Sequence, residues 1–197
     1  MKDWNQERDR IVDWLRERVQ KAKAKGVVLG LSGGIDSSVA GALAKIAFPE
    51  NTLGLMLPCH SLPLDQQDAE LIAGKFAISY QIFSLDFIYD SYLALLGESY
   101  SKPLPLPLAN IIPRIRMTVL YYFAQKENYL VCGATNKSEL TVGYYTKYGD
   151  GGVDLMPLAH LTKTEIWQFA NFLEIPASII EKAPSAGLWE DQTDEKE

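Results

Sequence analysis

The chain has 197 residues, enough for one domain with a full core and no need of a disulfide scaffold or structural metal to fold. Hydrophobic residues make up 47% and charged residues 22%, which excludes a disordered or collagen-like chain. Nineteen Lys and Arg against 25 Asp and Glu leave a net charge of −6 with no basic block, so nucleic acid is not an expected partner.

Residues 3–24 set Trp4, Ile11, Leu15 and Val19 among charges, the pattern of an amphipathic helix, and Gly26 ends it. Because this N-terminus is charged from its second residue, it lacks the apolar centre of a secretory signal. VVLGLS (27–32) reads as a buried strand, followed by a Gly-Gly turn and an Ala-rich helix over Asp36–Phe48. Residues 52–58 read as a second strand, Asp65–Ala77 as a helix, 80–86 as a third strand and 87–96 as a helix. In ESYSKPLPLPLAN (98–110), Pro103, Pro105 and Pro107 are expected to exclude helix and regular central strand.

A helix is expected from about Asn110 to Glu127, with Pro113 tolerated in its first turn. YLVCGAT (129–135) reads as a fourth strand, and 136–157 as an irregular stretch rich in Gly and Tyr. Thr162 and Glu165 have capping-box spacing and open a helix to about Leu173, after which Ile175-Pro176 starts a turn and the chain becomes acidic. Strands alternating with helices imply one α/β domain over residues 1–197, a doubly wound parallel sheet with helices on both faces. Two cysteines without CxxC spacing suit a reducing, cytoplasmic setting, and no apolar run is long enough for a membrane span.

The chemistry concentrates in Gly30-Leu31-Ser32-Gly33-Gly34-Ile35-Asp36-Ser37-Ser38. Glycines between a strand and a helix let the backbone turn tightly and approach a ligand. The N–H groups of the helix start, with the hydroxyls of Ser32, Ser37 and Ser38, suit a phosphate. Asp36 would repel that phosphate unless a cation intervenes, which points to Mg2+. The competing reading is a plain βα turn in which Asp36 only caps a helix. Neither the Gly-Lys-Ser/Thr of Walker A nor the GxGxxG dinucleotide fingerprint is present.

SGGIDSS resembles the pyrophosphate loop of the ATP pyrophosphatases, which include NAD, GMP, asparagine and argininosuccinate synthetases. Five further segments narrow the resemblance to ammonia-dependent NAD synthetases: NIIPRIRM (110–117), CGATNKSEL (132–140), GYYTKYGDGGVDLMPL (143–158), LTKTEIW (161–167) and EKAPSAGLWEDQTDE (181–195). They follow that family's order and cover nearly all of the chain from Gly30 onward. The resemblance implies an adenine nucleotide α-hydrolase-like, Rossmann-type sheet and an amide-forming ligase. In that reaction the nicotinate carboxylate of deamido-NAD attacks the α-phosphorus of ATP, giving an acyl adenylate and pyrophosphate. Ammonia then displaces AMP and leaves NAD.

The resemblance also implies a site. Gly30, Leu31, Ser32, Gly33, Gly34, Ile35, Asp36, Ser37, Ala134, Lys163 and Ser185 would bind ATP; Asp36 and Glu139 would bind Mg2+; Arg114, Lys147 and Asp154 would bind deamido-NAD; and a homodimer would place the substrate near its interface. Taken without the resemblance, Glu139 and Lys163 read as surface charges, Ser185 as a loop serine, Arg114 as a helix-surface ion pair and Asp154 as turn chemistry. Tyr144, Tyr145 and Tyr148 could stack on a ring or pack on one another. Cys132 reads as a small buried hydrophobe, and His60 and His160 have no metal spacing.

Three departures from the family pattern stand out. Ala134 replaces a threonine that usually touches ATP, and Ile112 stands where a lysine is common. The sequence ends at Glu197, ahead of a helical segment and a late His-Lys pair that the family usually carries. From these, Mg-ATP is expected to bind normally and deamido-NAD at least about tenfold more weakly. The alternatives are a related ATP pyrophosphatase ligase with another substrate, or a non-catalytic nucleotide-binding member.

Overall fold

Four parallel strands form the spine: β1 (Gly26–Gly30), β2 (Thr52–Met56), β3 (Ser79–Ile82) and β4 (Tyr129–Val131), in the order β3-β2-β1-β4. The computed structural model describes residues 2–101 and 103–182. Nine helices are found among them: α1 (Trp4–Lys21), α2 (Ile35–Ala47), α3 (Pro63–Lys75), α4 (Asp86–Leu95), α5 (Leu106–Ala109), α6 (Ile111–Glu127), α7 (Lys137–Val142), α8 (Lys163–Phe172) and α9 (Ala177–Ile180).

β1 shows why the sheet is covered on both sides. Val27 and Leu29 point into a core with Leu15 of α1, Leu43 of α2, Ile72 of α3 and Phe169 of α8. Val28, between them, points into a second core with Tyr89 and Leu93 of α4 and Ile112 and Phe123 of α6. Successive strand residues face opposite ways, so three consecutive apolar residues need two apolar layers, and a doubly wound α/β sheet supplies them. The direction of winding changes between β1 and β4, and in such sheets ligands bind above the carboxyl ends of the strands at that point.

Several expected elements have other bounds. β3 stops at Ile82, and Phe83 and Leu85 instead donate backbone N–H groups to the carbonyls of Met56 and Pro58. β4 ends at Val131, after which Cys132 makes one parallel bridge to Leu155. A Cβ on Gly133 would lie 2.7 Å from Val153, so residues 153–155 close against the strand where more strand was expected. The proline run does contain a one-turn helix, α5, because Pro107 falls in its first turn, where a missing N–H costs no hydrogen bond. The stretch from 136, expected to be irregular, opens with α7, whose start is fixed by a capping box between Asn136 and Glu139. Ile112 is buried in the second core, so at this position the chain spends its side chain on packing.

Candidate active site

The loop after β1 is built for close approach. Leu31 donates its N–H to the Leu55 carbonyl at 2.9 Å, continuing the strand ladder to the edge of the loop. Gly33 then adopts φ +78°, and a Cβ there would sit 2.3 Å from the Asp65 carbonyl oxygen and 3.0 Å from the Asp68 Cβ. Only glycine meets both conditions, so the loop lies directly under the first turns of α3. Gly34 is the N-cap of α2 and contributes no side-chain cap, which leaves the first turn to a ligand or water. The hydroxyls around it are ordered: Ser32 Oγ and Ser37 Oγ are 2.9 Å apart, and Ser37 and Ser38 donate to the Gly34 carbonyl at 2.9 and 2.8 Å.

Asp36, in that first turn, does more than favour the helix dipole. One carboxylate oxygen accepts a 2.9 Å hydrogen bond from Asn136 Nδ2, and the other pairs with Lys163 Nζ. Lys163 Nζ also lies 3.9 Å from Glu139 Oε1. Asn136 is fully buried; its Oδ1 accepts from the Glu139 N–H at 3.0 Å, while Glu139 Oε2 accepts from the Asn136 N–H at 3.0 Å. The capping box thus turns the other Glu139 oxygen toward the lysine. Lys163 stands at the first residue of α8, where the helix dipole disfavours a cation, and two carboxylates offset that cost. The side chains of Asp36, Lys163 and Glu139 are 18%, 20% and 23% exposed, so this is a lined cleft rather than an open surface.

This donor set suits Mg2+. The ion is held by one or two carboxylates together with phosphate oxygens and water, and rarely by an all-protein cage. Asp36 and Glu139 already face one shared cation, the lysine ammonium. Among the described residues, no group of three His, Cys, Asp or Glu could hold a metal by itself.

A second group lies along the amino-terminal half of α6. Arg114 donates through Nε to the Lys147 carbonyl at 3.3 Å, and Lys147 Nζ sits 5.1 Å from the centre of the Tyr148 ring. The TKYGDGG loop (146–152) is folded on itself: the Thr146 N–H donates to Asp150 Oδ1 at 2.8 Å and the Thr146 hydroxyl to Asn110 Oδ1 at 2.6 Å. Its glycines allow the loop to press on α6, since a Cβ on Gly149 would meet Pro113 at 2.9 Å and one on Gly152 would meet Met117 at 3.3 Å. Asp154 has internal partners: its carboxylate accepts from the Val131 N–H at 2.8 Å and from the Tyr121 hydroxyl at 3.0 Å. It anchors the segment beside β4, the turn chemistry that its residue type also allowed.

The structure therefore brings together Ser32, Ser37, Asp36, Glu139 and Lys163 in one cluster and Arg114 with Lys147 in another. Ala134 packs against the first core and offers no hydroxyl. Ser185 lies outside the described residues. Two participants escaped the sequence reading. Asn136 links Asp36 to Glu139, and its signal was present as N-K-S-E, the same capping spacing recognised at T-K-T-E. Lys182 ties the segment after α9 to α3 by ion pairs with Asp65 at 2.7 Å and Asp68 at 2.8 Å. Burial opposes its charge, but the hydrogen bonds to these carboxylates outweigh burial and raise its pKa. Cys132 is buried and its thiol is pushed up to about 12 by desolvation, as expected of an inert core residue.

The family model for NAD synthase matches residues 7–197. The NH(3)-dependent NAD(+) synthetase of Carboxydothermus hydrogenoformans is 51% identical over 196 residues, 99% of this chain and 81% of that protein. The one from Syntrophomonas wolfei is 50% identical over 191 residues, 95% of this chain and 76% of that protein. Among solved structures, the NMN synthetase of Francisella tularensis superposes with TM-score 0.93 at 36% identity, covering 100% of this chain and 81% of that one. The NH3-dependent NAD synthetase of Campylobacter jejuni, in complex with the nitrate ion, gives TM-score 0.85 at 36% identity over 92% and 78%.

Proposed function

The chain belongs to the NAD synthase family, and from that premise we propose that it is an amide-forming ligase that converts deamido-NAD, ATP and ammonia to NAD, AMP and pyrophosphate. The observation that carries this reading is the convergence of Asp36, Glu139 and Lys163, from three separate helices, beside the Ser32–Ser38 loop. A carboxylate is a poor acyl donor, and adenylation makes its oxygen a good leaving group. That step is mostly positioning and neutralisation of phosphate charge, so cations and N–H donors should dominate the site.

The roles follow from placement. The first-turn N–H groups of α2 and the hydroxyls of Ser32 and Ser37 receive the pyrophosphate that leaves as the nicotinate oxygen bonds to the α-phosphorus. Lys163 answers the triphosphate from the opposite side. Mg2+, held by Asp36 and Glu139, would supply the positive charge that lets two carboxylates stand beside phosphate. Asn136 holds both carboxylates in register. Arg114 and Lys147 provide cationic contacts for the dinucleotide. Attack of ammonia at the acyl carbon expels AMP, and loss of a proton leaves the carboxamide.

A homodimer fits the exposed apolar face on the β3 side. Tyr80 and Ile82 on edge strand β3 and Ile88 and Tyr92 on α4 are exposed, and Phe87 and Leu95 of α4 are 84% and 80% exposed. Exposed apolar side chains such as these are what a contact between subunits would cover. No helix among the described residues is long and apolar enough to cross a membrane.

Incubation with deamido-NAD, ATP, Mg2+ and ammonium, with chromatography of products, tests the reading. Equimolar AMP, pyrophosphate and NAD are expected, with glutamine unable to replace ammonium. Because an NMN synthetase also superposes closely, nicotinate mononucleotide belongs in a parallel arm. Faster turnover of the mononucleotide would reassign the acceptor, and absence of AMP in both arms would overturn the reading.

A further inference from the structure

Arg116 is a cation without an ion-pair partner among the described residues, at the carboxyl edge of the sheet. It lies on α6, two residues after Arg114, and its Nε–H donates to the Leu57 carbonyl at 3.0 Å. Leu57 continues β2 beyond its carboxyl end, and the adjacent ladder bond from the Leu31 N–H to the Leu55 carbonyl carries β1 into the Ser32–Ser38 loop. The guanidinium therefore stands at the carboxyl edge of the two central strands. The ionisable groups whose charge acts on it come from three segments: Cys59 after β2, Asp65 in the first turn of α3, and Asp150 in the TKYGDGG loop. Among the described residues no carboxylate is close enough for an ion pair with it, and Leu57 is its one hydrogen-bond acceptor.

Withdrawing a cation from water without an ion pair is costly. The side chain is half-buried, and desolvation lowers its pKa. A partly desolvated charge without an ion partner is stabilised where another charge completes it. The neighbouring Asp150 is engaged elsewhere, accepting from the Thr146 N–H at 2.8 Å. With Nε occupied by Leu57, the two Nη groups remain as a planar fork, which matches a planar carboxylate. Phosphate has other receptors here: the start of α2, the serine hydroxyls and Lys163 for ATP, Arg114 and Lys147 for the dinucleotide.

Resting on the ligase reading above, we infer that Arg116 binds the reacting nicotinate carboxylate of deamido-NAD and holds it beside the α-phosphate. The guanidinium screens the repulsion between two anions that must approach to bonding distance. Once the carboxylate becomes a neutral carboxamide, the same cation loses its partner, which favours product release.

Deamido-NAD and NAD differ at this one group, so their ratio of affinities reads the interaction directly. Calorimetric titration of wild type, Arg116→Gln and Arg116→Lys with deamido-NAD, NAD and Mg-ATP is the test. The wild type is expected to prefer deamido-NAD over NAD by about tenfold or more, the scale of a charge-assisted hydrogen-bonded pair. Arg116→Gln should bring that ratio close to one without weakening Mg-ATP, and Arg116→Lys should keep part of it. The ratio is taken within one protein, so loss of folded material does not affect it. Equal weakening of both dinucleotides would show that Arg116 serves packing through Leu57 and overturn the assignment. Weakening of Mg-ATP alone would move its anion to the triphosphate and overturn it too. A wild type that makes NAD, with Arg116→Gln retaining the full ratio, overturns the Arg116 assignment alone. A wild type that binds no deamido-NAD overturns the ligase reading with it.

Discussion

Asn136 hydrogen-bonds Asp36 at 2.9 Å although one hundred residues separate them in sequence. The bond ties the first turn of α2 to the N-cap of α7, and the same side chain fixes Glu139 through the capping box. One buried amide therefore sets the spacing of both proposed Mg2+ ligands. Asn136→Ala removes a cap, which typically costs about 1 kcal/mol, and it frees both carboxylates. A fall in melting temperature together with a higher Mg2+ requirement is expected. A stable variant with unchanged Mg2+ dependence would show that the amide does not position the carboxylates.

Asp36→Asn and Glu139→Gln should each slow turnover by roughly 10²–10³-fold, the scale of losing one important electrostatic stabiliser. Both replacements keep side-chain size, and both groups are partly exposed, so folding should be little affected. Steady-state rates at limiting and saturating Mg2+ check this. Wild-type rate at limiting Mg2+ in either variant would remove that carboxylate from the metal site.

Gly33→Ala combines two faults. The backbone is held at φ +78°, and the new methyl would lie 2.3 Å from the Asp65 carbonyl. The left-handed conformation alone costs about 1–2 kcal/mol, and the contact forces α3 and the loop apart. Loss of Mg-ATP binding is expected to exceed loss of thermal stability, because the displaced groups belong to the loop rather than the core. Calorimetric ATP titration beside a thermal melt would separate the two.

The sheet was legible because its strands are short apolar runs: Val27, Val28 and Leu29 announce burial on both faces without help from the rest of the chain. The loop after β1 was legible for a local reason too, since Ser-Gly-Gly between strand and helix marks a tight turn with close backbone approach. What pairs across the sheet was not legible. Lys163 and Asp36 meet over 127 residues of separation, and nothing in either segment encodes the partner. α7 escaped because six residues are too few for helical periodicity, and its N-cap sits in a Gly- and Tyr-rich stretch that masks it. The resemblance offers Asp154 to the dinucleotide and its residue type alone offers turn chemistry, and only the fold reveals Val131 and Tyr121 as its partners.

Glu7 makes acid stability measurable at a single residue. It is buried on α1, where it accepts from Arg10 at 2.6 Å, pairs with His160 and lies 3.9 Å from Lys2. Burial alone would raise its pKa, but the hydrogen bonds from Arg10 and His160 and the charges of Lys2 and Arg10 outweigh it, so the carboxyl titrates below its ordinary 4.5. A carboxylate with a depressed folded pKa stabilises the fold fully above its unfolded value, and that contribution disappears as pH falls through the folded value. Wild-type stability should therefore decline as pH drops below about 4.5, the ordinary value for this group. Glu7→Gln should be less stable than wild type at neutral pH, and the gap should close on acidification. Urea midpoints measured from pH 3 to pH 7 provide the check. A gap that stays constant across that range would mean that Glu7 stabilises α1 through its shape and hydrogen bonds, not through its charge.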